Sequence, residues 1–431
     1  MNTNSPASRN RRVGFVSTRF AGTDGVSLET EKWATVLERL GHTCFYFAGA
    51  SDRPPERSRI VPEALFKHPD VDAIYQVAFS RRVRPPETTR LVYELTAHLK
   101  QQLVAFARDF GLDLLVVENA LAIPLNIPLG LALTEFIAET GFPTIAHHHD
   151  FYWERQRFLV NCVWDYFNAA FPPTQPSIRH VVINSSAAHQ LSLRRGVSST
   201  IIPNVMDFDH PPPPPDEYAS GVCSALGLSP GELLFLQPTR VVQRKGIEHA
   251  IELVRRVGVP ARLVISHASG DEGDDYERRV REFAMLLGVP VNFVADIIRD
   301  RRGLLPDGRR VYTLWDVYPC ADLVTYPSTV EGFGNAFLEA VYFRKPIVVN
   351  NYSIFDLDIK PRGFRAIEFE GYISDDTVRQ VRQALEDPAR TQEMTEHNYR
   401  LGQRHYSFTV LERYLQALIT DCFGEDRDRR D

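Results

Sequence analysis

Cysteine is sparse and dispersed in this sequence: Cys44, Cys162, Cys223, Cys320 and Cys422 form no Cys-x-x-Cys pair. That excludes a disulfide framework and fits reduced thiols in the cytosol. No apolar run approaches the roughly 18 residues that a membrane span needs. The opening MNTNSPASRNRR has no apolar core of the kind a signal peptide carries. A cytoplasmic chain without an integral membrane segment is therefore expected. An excess of one charge is also lacking. The net charge is −6, acids and bases are interspersed, and the basic run RNRR at 9–12 is short, so no nucleic-acid partner is expected. No repeat of 20–50 residues, no P-loop and no complete Gly-x-Gly-x-x-Gly is present. Triphosphate-loop and dinucleotide-cofactor readings are left without support.

What is present is an alternation. The 431 residues exceed one core and suit two domains. Short apolar, β-rich runs at 13–18, 43–49, 113–119, 144–150, 180–185 and 199–204 alternate with helical stretches at 27–40, 89–110 and 124–140. This spacing predicts βαβ units and a parallel sheet. The segment HPPPPPDE at 210–217 can join neither a helix nor a central strand, and it reads as a linker. The rhythm then restarts, with strands at 233–239, 261–267, 291–296, 322–328 and 346–351. Helices are expected at 246–257, 274–287, 311–319, 334–343, 375–386, 389–404 and 408–422. The expected organisation is an N-terminal domain over 1–209, the linker 210–217, a C-terminal domain over 218–406, and a last helix with a charged tail over 407–431. The fold class is α/β, with two Rossmann-like parallel sheets. Ligands of such sheets lie at the carboxyl ends of the strands, and the cleft between two facing domains is the natural site.

The segment YPSTVEGFGNAFLEAVYFRKPIVV (326–349) carries the most chemistry. A strand ends at Tyr326, a turn holds Glu331, Gly332, Phe333 and Gly334, and a helix starts near Asn335. The glycines let backbone approach a ligand, and the helix N-terminus suits a diphosphate or a sugar hydroxyl. Glu331 and Glu339, about two helical turns apart, could each grip a diol, one on a sugar and one on a ribose. In TRVVQRKG (239–246), Arg240 ends a strand and Lys245 precedes Gly246 at a helix start. Two fixed cations there can neutralise a departing nucleotide diphosphate. The loop GTDGVS (22–27) follows the first strand, and its glycines permit a tight turn near phosphate or sugar.

These elements resemble, in order over most of the chain, retaining GT-B glycosyltransferases of family four. The Glu-x7-Glu segment and the Arg-x4-Lys-Gly element carry the resemblance most specifically. FAGTDGVS (20–27) is similar to the family's Gly-rich loop, and IIPNVMDF (201–208) to its Pro-Asn-Gly-Val-Asp segment, from which Val205 and Met206 depart. The segment NNYSIFDLDIKPRGF (350–364) departs from the usual Gly-x-Pro-Glu. The whole pattern from Glu331 through EGFGNAFLEAVYFRKPIVVNNYS to DIKPRGF is similar to synthases that make mannosylglucosylglycerate-type solutes from GDP-mannose.

The resemblance implies a metal-independent, retaining hexosyltransferase that uses a nucleotide-sugar of GDP-mannose or UDP-glucose type and an acceptor hydroxyl, and that needs no cofactor. It implies donor contacts at Gly25, Asn204, Arg240, Lys245, Glu331, Gly332, Phe333, Gly334, Asn335 and Glu339. The acceptor side is expected from FAGTDG, ENALAIPLN (118–126) and HDFYWERQRF (149–158), with Asp24, Glu118, Asn119, Asp150 and Arg155 as contacts and a helix behind His149. A homo-oligomer is compatible with the sequence. A same-fold phosphorylase or epimerase, saccharide extension by the same chemistry, and a non-catalytic sugar-binding protein are the alternatives.

The run His147–His148–His149–Asp150 looks at first like a metal site. Strand side chains alternate faces, so His147 and His149 point one way and His148 the other. No His-Glu-x-x-His or Cys pair accompanies them. No metal is expected, and by resemblance His149 is the catalytic histidine beside Arg240, Lys245 and Glu331, with His148 as runner-up in register.

Overall fold

The computed structural model describes residues 10–22, 25–269 and 273–424. Asp24, an expected acceptor contact, lies outside the described residues. The chain forms two compact units. One runs to Asn204 and takes in the residues from Phe408 onward; the other is Val205–Ser407. The division falls ahead of the proline run, and Pro211–Pro215 belong to the second unit as extended chain.

The first unit is built on seven parallel strands: β1 (Arg12–Val16), β2 (Thr43–Ala48), β3 (Ser58–Ile60), β4 (Leu114–Glu118), β5 (Thr144–His148), β6 (Ile178–Val182) and β7 (Thr200–Ile201). Their order is β3-β2-β1-β4-β5-β6-β7. Every residue of β4, LLVVE, is buried, because helices cover both faces of a parallel sheet. Leu115 and Val117 pack with Leu103 and Phe106 of the helix Pro86–Asp109 and Leu133 and Phe136 of the helix Ile127–Thr140. The helix Phe408–Phe423 buries Leu411, Leu415 and Leu418, one helical face, and packs on the helix Gly25–Arg39.

The second unit has β8 (Leu233–Gln237), β9 (Ala261–Ile265), β10 (Val291–Phe293), a separate hairpin of β11 (Gly303–Leu304) and β12 (Arg310–Val311), then β13 (Leu323–Tyr326), β14 (Ile347–Asn350) and β15 (Ile367–Phe369). Its sheet is parallel in the order β10-β9-β8-β13-β14-β15. Each sheet therefore reverses direction of growth once, between β1 and β4 and between β8 and β13. Loops after these strands diverge to opposite sides and leave a crevice at the carboxyl ends.

Several segments differ from expectation. The Pro- and Arg-rich stretch contains the helix Pro69–Ser80, with proline in its first turn, where its missing N–H costs nothing. Residues 151–158 form two 3-10 turns, Tyr152–Glu154 and Gln156–Phe158, rather than a helix, because Phe151 and Phe158 both turn into the core. In ENALAIPLN, Leu121, Ala122 and Ile123 are core residues and Asn126 caps the helix Ile127–Thr140 through Leu129 N–H at 3.0 Å. That stretch packs into the core of the unit and starts its helix.

His148 is also withdrawn from solvent. Its Nε2 lies 2.9 Å from Nδ1 of His180 on neighbouring β6, and both rings are buried. Burial makes both harder to protonate, with His180 pushed down to about 4. The folded state thus binds fewer protons than the unfolded one between about pH 6.5 and 4. Stability from this pair is fully present above pH 6.5 and is lost as the pH falls through that window. Urea unfolding at pH 7.5 and 4.5 is expected to show a loss on the order of 2 kcal/mol at the lower pH from this source. The loss shrinks in His180→Gln; an unchanged pH dependence in that variant contradicts the assignment.

Candidate active site

The second unit gathers cations at its switch point. The β8 strand ends at Gln237, and the chain turns through Thr239 and exposed Arg240 into a 3-10 turn, Gln243–Lys245. The β13 strand ends at Tyr326 and leads through Pro327–Ser328 to Glu331. The two loops are stitched together. Thr329 N–H donates to the Arg244 carbonyl at 2.8 Å, and the Arg244 guanidinium donates to the Val330 carbonyl at 3.3 Å. Lys245 Nζ is ion-paired to Glu331 Oε1, and Arg244 reaches Oε2 at 3.4 Å. Lys245 and Glu331 side chains are each only 10% exposed.

Glycine makes this approach feasible at two points. Gly246 has φ +57°, and a Cβ there would sit 2.6 Å from the Pro327 carbonyl. Gly334 has φ +122°, and its Cβ would meet Tyr352 Oη at 2.4 Å. Both positions combine a backbone conformation that side chains resist with a space that they cannot enter.

The electrostatics follow from burial. Desolvation lowers the Lys245 pKa, and the nearby Glu331 only partly opposes it. Desolvation pushes Glu331 up, but Lys245 and Arg244 outweigh it and the net shift is downward. His267, two residues past β9, is held neutral by burial and by the positive Lys245 and Arg240. The loop after β8 thus presents Arg240, Arg244 and Lys245, with His267 after β9 and the single carboxylate Glu331 after β13 beside them, a surplus of positive charge suited to a diphosphate. The sequence alone does not single out Arg244 or His267. Arg244 sat beside Lys245 in the motif, and His267 became visible only through the pairing of β8 with β9.

The remaining donor-side residues have distinct placements. Gly332 is exposed on the loop, and Asn335 opens the helix Asn335–Tyr342. Phe333 is buried against Tyr406, ring centroids 5.3 Å apart. Its side chain anchors the loop and is not presented to a ligand. Glu339 accepts a hydrogen bond from Tyr318 Oη at 2.7 Å, a partner the sequence did not reveal. Asn204 is buried at the end of the first unit, and Gly25 is the exposed first residue of the helix Gly25–Arg39.

The first unit brings Glu118, Asn119, His149, Asp150 and Arg155 into one network. Glu118 Oε2 lies 3.1 Å from His149 Nε2 and 3.0 Å from His147 Nδ1. His147 is fully buried and stacked on Trp33, centroids 4.2 Å apart. Asn119 donates to Asp150 Oδ1 at 2.9 Å, and Asp150 is ion-paired to Arg155. Glu118 has no exposed surface, so it cannot contact an acceptor as expected. Asp150, Asn119 and Arg155 spend their polar groups largely on one another. Among the described residues, Glu118, His147 and His149 also place three ligand atoms within 4.8 Å of one another, a spacing that could hold a divalent cation. Alternation along β5 alone does not reveal this set, because Glu118 comes from the neighbouring strand β4.

Comparison with known proteins adds a family match, two relatives and a solved structure. Residues 308–401 match the family described as Glycosyl transferases group 1. The mannosylglucosylglycerate synthase of Thermotoga maritima is 30% identical, over 95% of this chain and 99% of that protein. The mannosylglucosylglycerate synthase of Petrotoga mobilis is 31% identical, over 82% of this chain and 86% of that protein. Among solved structures, a glycosyltransferase from Rickettsia africae matches with a TM-score of 0.68 at 12% identity, covering 97% of this chain and all of that one; this likeness is one of fold, the two-sheet GT-B architecture.

The buried ion pair yields a stability test. Removing one partner leaves the other charge buried and uncompensated, whereas removing both does not. Lys245→Met and Glu331→Gln are each expected to lower unfolding stability by about 3 kcal/mol. The double variant should lose clearly less than the sum, read from urea midpoints. Additive losses contradict a coupled pair.

Proposed function

Because the chain belongs to the group 1 glycosyl transferases and moves a sugar from a nucleotide-sugar to an acceptor, we propose that it is a retaining, metal-independent mannosyltransferase acting from GDP-mannose on glucosylglycerate. The relatives that align over nearly their whole length carry the name of a mannosylated glucosylglycerate, which supports this donor sugar and acceptor. The observation that carries the chemistry is the Lys245–Glu331 pair beside Arg240 and Arg244 at the β8/β13 switch point.

In this reading the diphosphate of the donor is met by Arg240 and Lys245. Charge grows on that diphosphate as its bond to the sugar C1 breaks, and fixed cations in a partly desolvated site stabilise it most there. Lys245 shifts part of its interaction from Glu331 to phosphate, which frees a Glu331 oxygen for donor-sugar hydroxyls. Backbone around Gly332–Asn335 meets phosphate or sugar at the helix N-terminus, and Glu339 takes the ribose diol. The acceptor oxygen bonds to C1 on the face the diphosphate leaves, and the acceptor proton passes to a phosphate oxygen. His149 contacts the sugar 6-hydroxyl and steadies the oxocarbenium-like state. The two cations take the place that a divalent metal holds in other transferases.

Two measurements test this. A thermal-shift panel should raise the melting temperature with GDP and GDP-mannose more than with UDP-glucose. Lys245→Ala and Glu331→Ala should each lower kcat by about 10²–10³-fold. Full turnover by either variant sinks the mechanism, and turnover abolished by a chelator and restored by one metal sinks the metal-independent part.

A further inference from the structure

Glu118 is a carboxylate with no solvent contact, and the chemistry proposed above makes no use of it. Such a group is costly to bury unless it is held. It ends β4 directly opposite His147 on β5, with Glu118 paired to His147 in register. His147 and His149 therefore flank it on one face. Both rings come within 3.1 Å of the same oxygen, Oε2. Only the His149 contact has hydrogen-bond geometry, whereas neither ring nitrogen of His147 has a hydrogen-bond partner. An ionised carboxylate only accepts, so the proton of this bond sits on His149 Nε2.

The next residue fixes the backbone. Asn119 adopts φ +61°, a left-handed conformation that asparagine tolerates better than other side chains. The turn lets its N–H donate to the His147 carbonyl at 2.9 Å and its Oδ1 accept from the His149 N–H at 3.0 Å. Its Nδ2 donates to Asp150 Oδ1, and Asp150 holds Arg155. Two successive residues thus grip the ring and the main chain of one histidine. Of the three clustered side chains, His149 alone reaches solvent, at 10% exposure.

We propose that Glu118 and Asn119 are positioning residues for His149: Glu118 accepts the Nε2 proton and fixes the tautomer, so that Nδ1 faces the reacting sugar, while Asn119 sets the height of the His149 backbone. The inference rests on His149 contacting the donor sugar, as in the proposed function. A carboxylate behind an imidazole both orients the ring and stabilises its charged form. Burial disfavours that form in His149, but Glu118 outweighs it and the net shift is upward. The other groups facing His149 are Glu29 with its partner Lys32, His147, His148, and Asp150 with Arg155. A cation held by Glu118, His147 and His149 would have to replace the Nε2 proton, so the two arrangements exclude each other.

The test compares Glu118→Gln, Glu118→Asp, Asn119→Gly and His149→Ala with the wild type, by kinetics and by NMR titration of labelled histidine. In Glu118→Gln the His149 pKa should fall by about one unit or more. Its kcat should drop about 10–100-fold, with the donor KM little changed and the alkaline or acid limb of the pH–rate profile moved by the same shift. Glu118→Asp should recover part of the loss. Asn119→Gly keeps the left-handed turn and lacks the amide, and it should lower kcat while leaving the His149 pKa near the wild-type value; it decides the matter if Glu118→Gln does not fold. An unchanged His149 titration and kcat in Glu118→Gln, or full kcat in Asn119→Gly, overturns the proposal. So does stoichiometric zinc or manganese binding by the wild type that is lost in Glu118→Gln. Full turnover by His149→Ala instead removes the sugar contact of the proposed function, whereas an inactive His149→Ala beside an unaffected Glu118→Gln removes only the positioning role.

Discussion

A lysine ammonium and a glutamate carboxylate cannot both lie below the surface unless they lie together, and in the second unit that constraint organises the site. Lys245 and Glu331 come from loops after two different strands. Their pairing brings those loops into contact, and the contact in turn demands glycine at 246, where the Pro327 carbonyl leaves no room for a Cβ; at 334 the Tyr352 hydroxyl does the same. A main-chain bond from Thr329 N–H to the Arg244 carbonyl and one from the Arg244 guanidinium to the Val330 carbonyl close the remaining gap. Cations outnumber carboxylates at this point, a surplus that a structural ion pair alone does not need. In the proposed function a donor diphosphate satisfies Lys245 as Glu331 does, and the ion pair then stands in for that ligand.

The first unit solves a related problem differently. Its sheet also reverses once, between β1 and β4, and its polar groups also collect where strands end. Here the buried charge is Glu118, and the compensating groups are imidazoles and not an ammonium. Rigidity is supplied by Asn119, whose left-handed backbone folds its amide over the start of the 149–155 segment. The result is a single histidine edge exposed above a fully buried support.

Much of this fold was legible in the sequence, for a physical reason. Parallel strands covered on both faces read as unbroken apolar runs, so LLVVE, LLFLQ and IVVN stand out. The edge strands Ser58–Ile60 and Ile367–Phe369 span three residues each, too short for any periodicity. The helix Pro69–Ser80 was hidden because its opening proline reads as a breaker when its helix is not yet recognised. Of the site, Arg240, Lys245, Glu331 and the glycines were legible because their spacing places them on two loops. The role of Glu118 was not. Sequence distance separates it from His149, and only the in-register pairing of β4 with β5 makes them neighbours. The same pairing turned His148 away, toward His180.

The most direct test of the account is the product itself. The protein is incubated with GDP-mannose and glucosylglycerate, and the product is read by mass and by the NMR coupling at its new anomeric carbon. The account predicts one added hexose, with the anomeric configuration of the donor retained and GDP released in equal amount. A product of inverted configuration, or release of GDP with free mannose and no glycoside, contradicts it.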